Sequence, residues 1–213
     1  MIEVVVTQLD LAPGAVHALA ALLSRTERQR AERLRADRDR RRFIVARARL
    51  RQLLARRLGT RPESIDLVSG LRGKPALACN GLHFNVSHSE DIAVYAFSRG
   101  GEVGVDVEAI RRLREADDIA ARTFSRRENE AYAALEPHLK ALGFFNCWTR
   151  KEALVKAVGH GLSMPLDDIE VTLAPGEPAK LLRLGDMTGE RIGWRLQSFR
   201  PAPGFVAALA TRN

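Results

Sequence analysis

Two carboxylates stand two residues apart in Val103-Gly104-Val105-Asp106-Val107-Glu108, where valine takes every second position. That alternation predicts a β-strand with its valines on one face and Asp106 and Glu108 together on the other. Carboxylates held a few ångströms apart repel one another unless a cation or a shared proton stands between them. Gly104 leaves bare backbone beside them, open to the approach of something bulky. The same residues also suit an edge strand with two solvated acids, and alternation alone does not separate the two readings.

Other residues with chemistry to offer lie on either side. Upstream, Phe84-Asn85-Val86-Ser87-His88-Ser89 alternates apolar and small polar residues and offers donors for phosphate oxygens. A lone histidine is more often structural; this one sits in a polar run just after a strand. Arg72-Gly73-Lys74-Pro75-Ala76-Leu77 predicts a turn, with Pro75 restricting its own φ and extending Lys74. Such a turn aims one amine and bare backbone at a ligand, or is an ordinary hairpin tip. Downstream, Trp148, Glu152 and Lys156 recur at i, i+4 and i+8 of a helix that Gly159 stops, which puts them along one face. A Glu–Lys pair at that spacing on a surface adds about 0.5 kcal/mol or less.

The elements that must position these groups follow from periodicity and turn chemistry. Val4 to Leu9 reads as a strand, and Ala15 to Leu23 and Ser24 to Arg35 as helices. Phe43, Ala46, Leu50, Leu53, Leu54 and Leu58 recur at helical spacing until Gly59 and Pro62. Ile65 to Val68 and Ile92 to Phe97 read as strands. Gly100-Gly101 then predicts a hairpin returning through Val103–Glu108, with His88 and the two acids at neighbouring ends of one sheet. Ile110 to Arg122 is amphipathic. Ser125 and Glu128 form a capping-box pattern that starts a helix to about Leu142. The tail reads as short strands at Ile169–Leu173, Leu181–Leu184, Arg191–Phe199 and Phe205–Ala210.

A chain of 213 residues with 46% hydrophobic content holds a real core, as one large domain or two small ones. No stretch approaches the roughly 18 apolar residues of a membrane span. An acid at Glu3 replaces the positive charge of a secretion signal, and two cysteines make no disulfide framework, so a cytoplasmic home is expected. The Asn85-Val86-Ser87 sequon is then accidental. The net charge of +8 is local: Arg25 to Arg57 carries 14 arginines against Glu27, Glu32, Asp37 and Asp39, and the remainder is slightly acidic. Single arginines of this kind usually solvate a helix; the cluster implies an anionic partner.

Taken in this order and spacing, the segments resemble the Sfp-type 4′-phosphopantetheinyl transferases. The likeness rests on Gly73-Lys74-Pro75, Phe84–Ser89, Val103–Glu108 and Trp148-x-x-Lys151-Glu152-Ala153-x-x-Lys156-Ala157-x-Gly159-x-Gly161, and is weakest in the first twenty and last forty residues. The resemblance implies an α+β monomer of two pseudo-symmetric halves with the cofactor between them. The N-terminal half, 1–101, would contact the adenine and 3′-phosphate of coenzyme A, and the C-terminal half, 102–213, would hold the metal. It implies transfer of phosphopantetheine from coenzyme A to a serine of an acidic apo acyl or peptidyl carrier protein, with release of adenosine 3′,5′-bisphosphate. Asp106, Glu108 and Glu152 match the ligands of Mg²⁺, for which Mn²⁺ can substitute. Some relatives carry an apolar residue where Glu108 stands. Lys156, Ser87 and His88 match the diphosphate contacts, Asn85 counts among the cofactor-binding residues, and Arg72, Gly73, Lys74 and Pro75 match the adenine-side loop. Arg30 best matches the 3′-phosphate cation, with Arg33, Arg42 and Arg47 as alternatives. Catalysis would fall to Glu152, Lys156 and His88. Two rivals remain. One is a basic nucleic-acid-binding module, against which stand 6% aromatic content and the lack of a reading motif. The other is an inactive coenzyme A-binding homologue, although all three acids and Lys156 are in place.

Overall fold

The computed structural model describes residues 1–69, 75–77, 81–159, 165–185 and 193–212. In chain order the elements are β1 (Ile2–Gln8), α1 (Pro13–Ala20), α2 (Arg25–Glu32), α3 (Asp37–Leu58), β2 (Leu67–Ser69), β3 (Pro75–Leu77), β4 (His83–Ser89), β5 (Ile92–Ser98) and β6 (Val103–Ala109). They continue with α4 (Ala116–Thr123), α5 (Arg126–Ala133), α6 (Lys140–Val158), β7 (Ile169–Val171), β8 (Leu181–Leu184), β9 (Trp194–Phe199) and β10 (Phe205–Arg212). The class is α+β, with two three-stranded sheets, β1-β5-β4 and β6-β10-β9, and two small two-stranded ones, β2-β3 and β7-β8. Among the described residues, no helix is long and apolar enough to cross a membrane.

Helix boundaries obey capping chemistry. Ser24 and Ser125 each accept a hydrogen bond from the backbone N–H three residues on, and the carboxylates of Glu27 and Glu128 accept one from the serine amide, closing two capping boxes. Gly59 ends α3 with φ of 65°. That helix starts at Asp37, earlier than its apolar stripe predicts, because Asp37 and Asp39 suit the positive N-terminal dipole and Asp37 pairs with Arg40 and Arg41. The helix expected from Ser125 to Leu142 is divided instead, α5 ending at Ala133 and α6 starting at Lys140. Pro137 lies in the gap and has no N–H to continue a helical ladder.

The chain forms two compact units. One comprises Met1–Val5, Gly81–Glu90 and Val94–Asn213; the other comprises Val6–Asn80 and Asp91–Ala93. In the second, α3 packs on α1 and α2 through buried Val45, Ala48, Leu50 and Leu54. In the first, α6 lies across β6 and β10.

The expected β5–β6 hairpin does not form. β6 pairs antiparallel with β10 along its whole length, from Phe205 opposite Ala109 to Thr211 opposite Val103. The other edge of β6 has its N–H groups engaged by side chains, so it does not take a neighbouring strand. What approaches Gly104 is helix α6. A Cβ there would lie 2.0 Å from the Ala153 carbonyl oxygen and 2.4 Å from the Ala157 amide nitrogen. Buried Ala153 and Ala157 complete the close crossing from the helix side. Backbone on both sides leaves no flexible side chain to move away. Gly104→Ala is therefore expected to destabilise the fold by about 3 kcal/mol or more, at the top of the range for overpacking. Urea denaturation measures it, and a loss under 1 kcal/mol would show that α6 can shift.

Candidate active site

Side chains of β4 seal β6. The amides of Val105, Val107 and Ala109 share one strand edge and donate to Asn85 Oδ1 (2.8 Å), Ser87 Oγ (3.3 Å) and Ser89 Oγ (3.1 Å). The two-residue period of β4 matches that of β6, and this also aligns Ser-x-Ser with Asp-x-Glu. Ser87 Oγ donates to Asp106 Oδ1 at 2.8 Å, and Ser89 Oγ donates to Glu108 Oε2 at 2.8 Å. Ser87 also accepts from Lys156 Nζ at 3.0 Å, so its one donor and two acceptor positions are all in use.

Helix α6 supplies the remaining groups. Because its backbone rides on Gly104, Lys156 reaches Asp106, with Nζ 2.6 Å from Oδ1. Asp106 is only 4% exposed, and its Oδ2 is buried with no hydrogen-bond partner among the described residues. Burial pushes the Asp106 carboxyl above its ordinary range, opposed by the Lys156 ammonium and the Ser87 hydroxyl, with Glu108 adding to the rise. One turn before Lys156, half-buried Glu152 is also pushed up. Burial is the larger cause and the Asp106 charge the next; Lys156 opposes them and Glu108 adds. Glu152 therefore sits within the fields of both strand acids. Arg111 donates to Glu108 Oε2 at 3.3 Å.

This donor set fits a hard divalent cation. The donors are carboxylate oxygens, one is buried and has no partner among the described residues, and neighbouring negative charge adds to the rise of the Asp106 and Glu152 carboxyls, which a cation would relieve. Among the described residues, no three acids, histidines or thiols already stand at the spacing of a formed metal shell. In this structure the Lys156 ammonium answers part of the charge.

The expected site residues divide into groups. Asp106 and Lys156 are bonded, Glu108 shares the strand face of Asp106, and Glu152 lies one turn before Lys156 on α6. Asn85 and Ser87, expected as phosphate donors, are buried and joined to β6; a buried Asn85 also leaves the sequon out of reach. His88 is exposed, on the face of β4 opposite Ser87 and Ser89. Pro75 opens β3, half-buried, while Arg72, Gly73, Lys74, Gly161 and Cys79 lie outside the described residues. In the other unit, Arg42 is held by Asp10, with Nε and NH2 each 2.8 Å from a carboxylate oxygen. Arg47 lies 3.5 Å from Glu27, Arg30 lies over the Phe43 ring, and Arg33 is exposed at the end of α2.

Two roles escaped the residue pattern. Ser89 holds Glu108, a partnership that the matched Ser-x-Ser and Asp-x-Glu spacings announce only once β4 is known to flank β6. Lys151 is 1% exposed and belongs to no active group. Its Nζ lies 2.5 Å from Glu128 Oε2 and donates to the Thr123 and Leu166 carbonyls. Glu128 Oε1 in turn accepts from the Val171 amide at 2.8 Å. Adjacent residues on a helix face different directions, so Lys151 locks α6 to α5 and β7 while Glu152 turns to the acids.

The family model described as the 4′-phosphopantetheinyl transferase superfamily matches residues 102–210, and the one described as 4′-phosphopantetheinyl transferase, N-terminal, matches residues 13–99. The 4′-phosphopantetheinyl transferase HetI of Nostoc sp. strain PCC 7120 is 37% identical over 206 residues, covering 95% of this chain and 84% of the relative. A Bacillus subtilis 4′-phosphopantetheinyl transferase is 31% identical over 164 residues, covering 76% and 72%. Among solved structures, the holo-[acyl-carrier-protein] synthase of Thermotoga maritima aligns with a TM-score of 0.40 at 22% identity, over 53% of this chain and 62% of that one.

Two stability measurements check the electrostatics. Glu152 binds its proton more tightly folded than unfolded, so the native state loses stability as pH rises from the ordinary glutamate value of 4.5 through the raised native one. Without divalent cation, Glu152→Gln should therefore melt higher than wild type at pH 8, and the gap should close toward pH 4; a lower melting point at pH 8 contradicts the repulsion. Lys151→Met strands the buried Glu128 charge and should cost about 3–5 kcal/mol in urea denaturation.

Proposed function

The chain belongs to the 4′-phosphopantetheinyl transferase superfamily, and from that premise we propose that it moves the 4′-phosphopantetheine group of coenzyme A onto a serine of an apo acyl or peptidyl carrier protein. The reaction depends on Mg²⁺, with Mn²⁺ as a substitute, and releases adenosine 3′,5′-bisphosphate. One observation carries this reading: a buried aspartate shares one oxygen with Lys156 and Ser87, keeps the other bare, and stands in the field of Glu152.

Asp106, Glu108 and Glu152 would hold the cation. When bound, it supplies neutralisation of the diphosphate oxygens. Ser87 and Ser89 keep the two strand carboxylates aimed, and Asn85 fixes β4 on β6 beneath them. The carrier serine oxygen attacks the phosphorus next to the pantetheine arm, the bond to the bridging oxygen breaks, and the bisphosphate takes that bond's electrons. Such transfers depend on positioning and on cancelling charge at the phosphoryl oxygens. Lys156 is the ammonium placed to do so, with exposed His88 beside the leaving group. The serine proton would pass through a water held by Glu152 to bulk solvent, since a carboxylate that also held a cation would retain it poorly. Arg72, Gly73, Lys74 and Pro75 are assigned to the adenine side of coenzyme A in this reading. The 3′-phosphate falls to Arg30, which has no carboxylate partner among the described residues, with Arg47 on the same Phe43 ring and Arg33 and Arg42 as alternatives. The remaining α2–α3 arginines draw an acidic carrier. The protein works as a monomer in the cytoplasm, its N-terminal half (1–101) on the nucleotide and its C-terminal half (102–213) on the metal.

Incubating the protein with coenzyme A, Mg²⁺ and a panel of apo carriers should add one phosphopantetheine mass to at least one carrier serine. Chelation should stop the transfer, and Mg²⁺ or Mn²⁺ should restore it. Asp106→Asn and Glu152→Gln should each lower kcat/KM on the order of 10²–10³-fold in single-turnover assays. Near-normal turnover in either overturns the site as assigned.

A further inference from the structure

Phe43 is a half-buried aromatic residue on α3 whose ring meets two guanidiniums from two helices. Arg30 of α2 lies with its guanidinium carbon 5.4 Å from the ring centroid, and Arg47, one turn along α3, lies at 5.7 Å. Like charges gather this closely only where something attractive stands between them, and the negative face of the ring supplies it. One carboxylate stands nearby. Glu27 Oε1 is 3.5 Å from Arg47 Nε, while Glu27 Oε2 accepts from Arg51 Nε at 2.7 Å and from the Ser24 amide at 2.8 Å. Glu27 thus answers both Arg47 and Arg51, and among the described residues Arg30 has no carboxylate partner of its own. The cluster carries a surplus of positive charge on forked donors, the arrangement that a phosphate monoester dianion fits.

Resting on the coenzyme A reading above, we infer that Phe43 is a positioning residue: its ring holds both Arg30 and Arg47, the pair that grips the 3′-phosphate. Recognition of that phosphate then depends on an uncharged side chain that carries none of the donors itself. Glu27 keeps Arg47 from swinging to solvent, and its own attachment to Arg51 is anchored by the bonds of Arg51 to the Pro62 and Ile65 carbonyls. The whole device lies within one compact unit.

The test compares coenzyme A with 3′-dephospho-coenzyme A as donors for the full-length protein. Arg30→Ala should raise KM for coenzyme A about tenfold and leave KM for the dephospho donor unchanged. Phe43→Met, which keeps most of the volume and removes the quadrupole, should raise KM for coenzyme A about fivefold, with kcat and the dephospho donor unaffected. Phe43→Tyr should restore the wild-type ratio of the two KM values. If Phe43→Met moves both donors equally, or neither, while Arg30→Ala still discriminates between them, the role of the ring is overturned and the phosphate site stands. If Arg30→Ala fails to discriminate, the 3′-phosphate assignment falls as well.

Discussion

A carboxylate taken out of water must have its charge answered, and the first compact unit is arranged around answering it for Asp106. Burial on β6 raises the cost of ionising Asp106, and Lys156 and Ser87 meet that cost at one oxygen only. The second oxygen is enclosed and unpaired. A fully satisfied aspartate would make a more stable protein and leave no acceptor open. The unpaired oxygen and the raised Glu152 carboxyl are the same compromise seen from two elements, strand and helix.

That arrangement needs α6 at an unusually short distance from β6, and Gly104 permits it. Any side chain at residue 104 would collide with helix backbone, so the glycine is a packing requirement before it is anything chemical. The helix cannot hold so close a crossing through small contacts alone. Lys151 clamps it from its far side onto Glu128, which simultaneously caps α5 and accepts from β7. Consecutive residues of α6 thus divide the work: Lys151 fixes where the helix lies and Glu152 presents its acid there. A buried ion pair is a costly way to gain stability, but it ties three elements to a single relative position.

The second unit uses charge differently. Its arginines look interchangeable in number and are sorted by partners: Arg42 is neutralised by Asp10, Arg51 is buried on Glu27, and Arg40 and Arg41 pair with Asp37. Arg30 and Arg47 stay close together over Phe43. Arg30, held by a ring that adds no charge and without a carboxylate partner among the described residues, is available for an external anion in a way that Arg42, bonded to Asp10, is not.

Features that depend on near neighbours were already written in the residue order. The capping boxes at Ser24 and Ser125, the stops at Gly59 and Gly159, the alternation in β6 and the spacing of Glu152 and Lys156 all follow from local periods and turn chemistry. The family resemblance, too, was carried by short motifs. Pairing across the chain was not local. Two turn glycines pointed to a β5–β6 hairpin, whereas the register with β10 and the side-chain seal from β4 are settled by contacts between residues far apart in sequence. For the same reason only the folded chain decided that Asn85 and Ser87 face β6, that Lys156 meets Asp106, and which arginines are neutralised: an ion pair depends on distance in space, and residue order does not carry it.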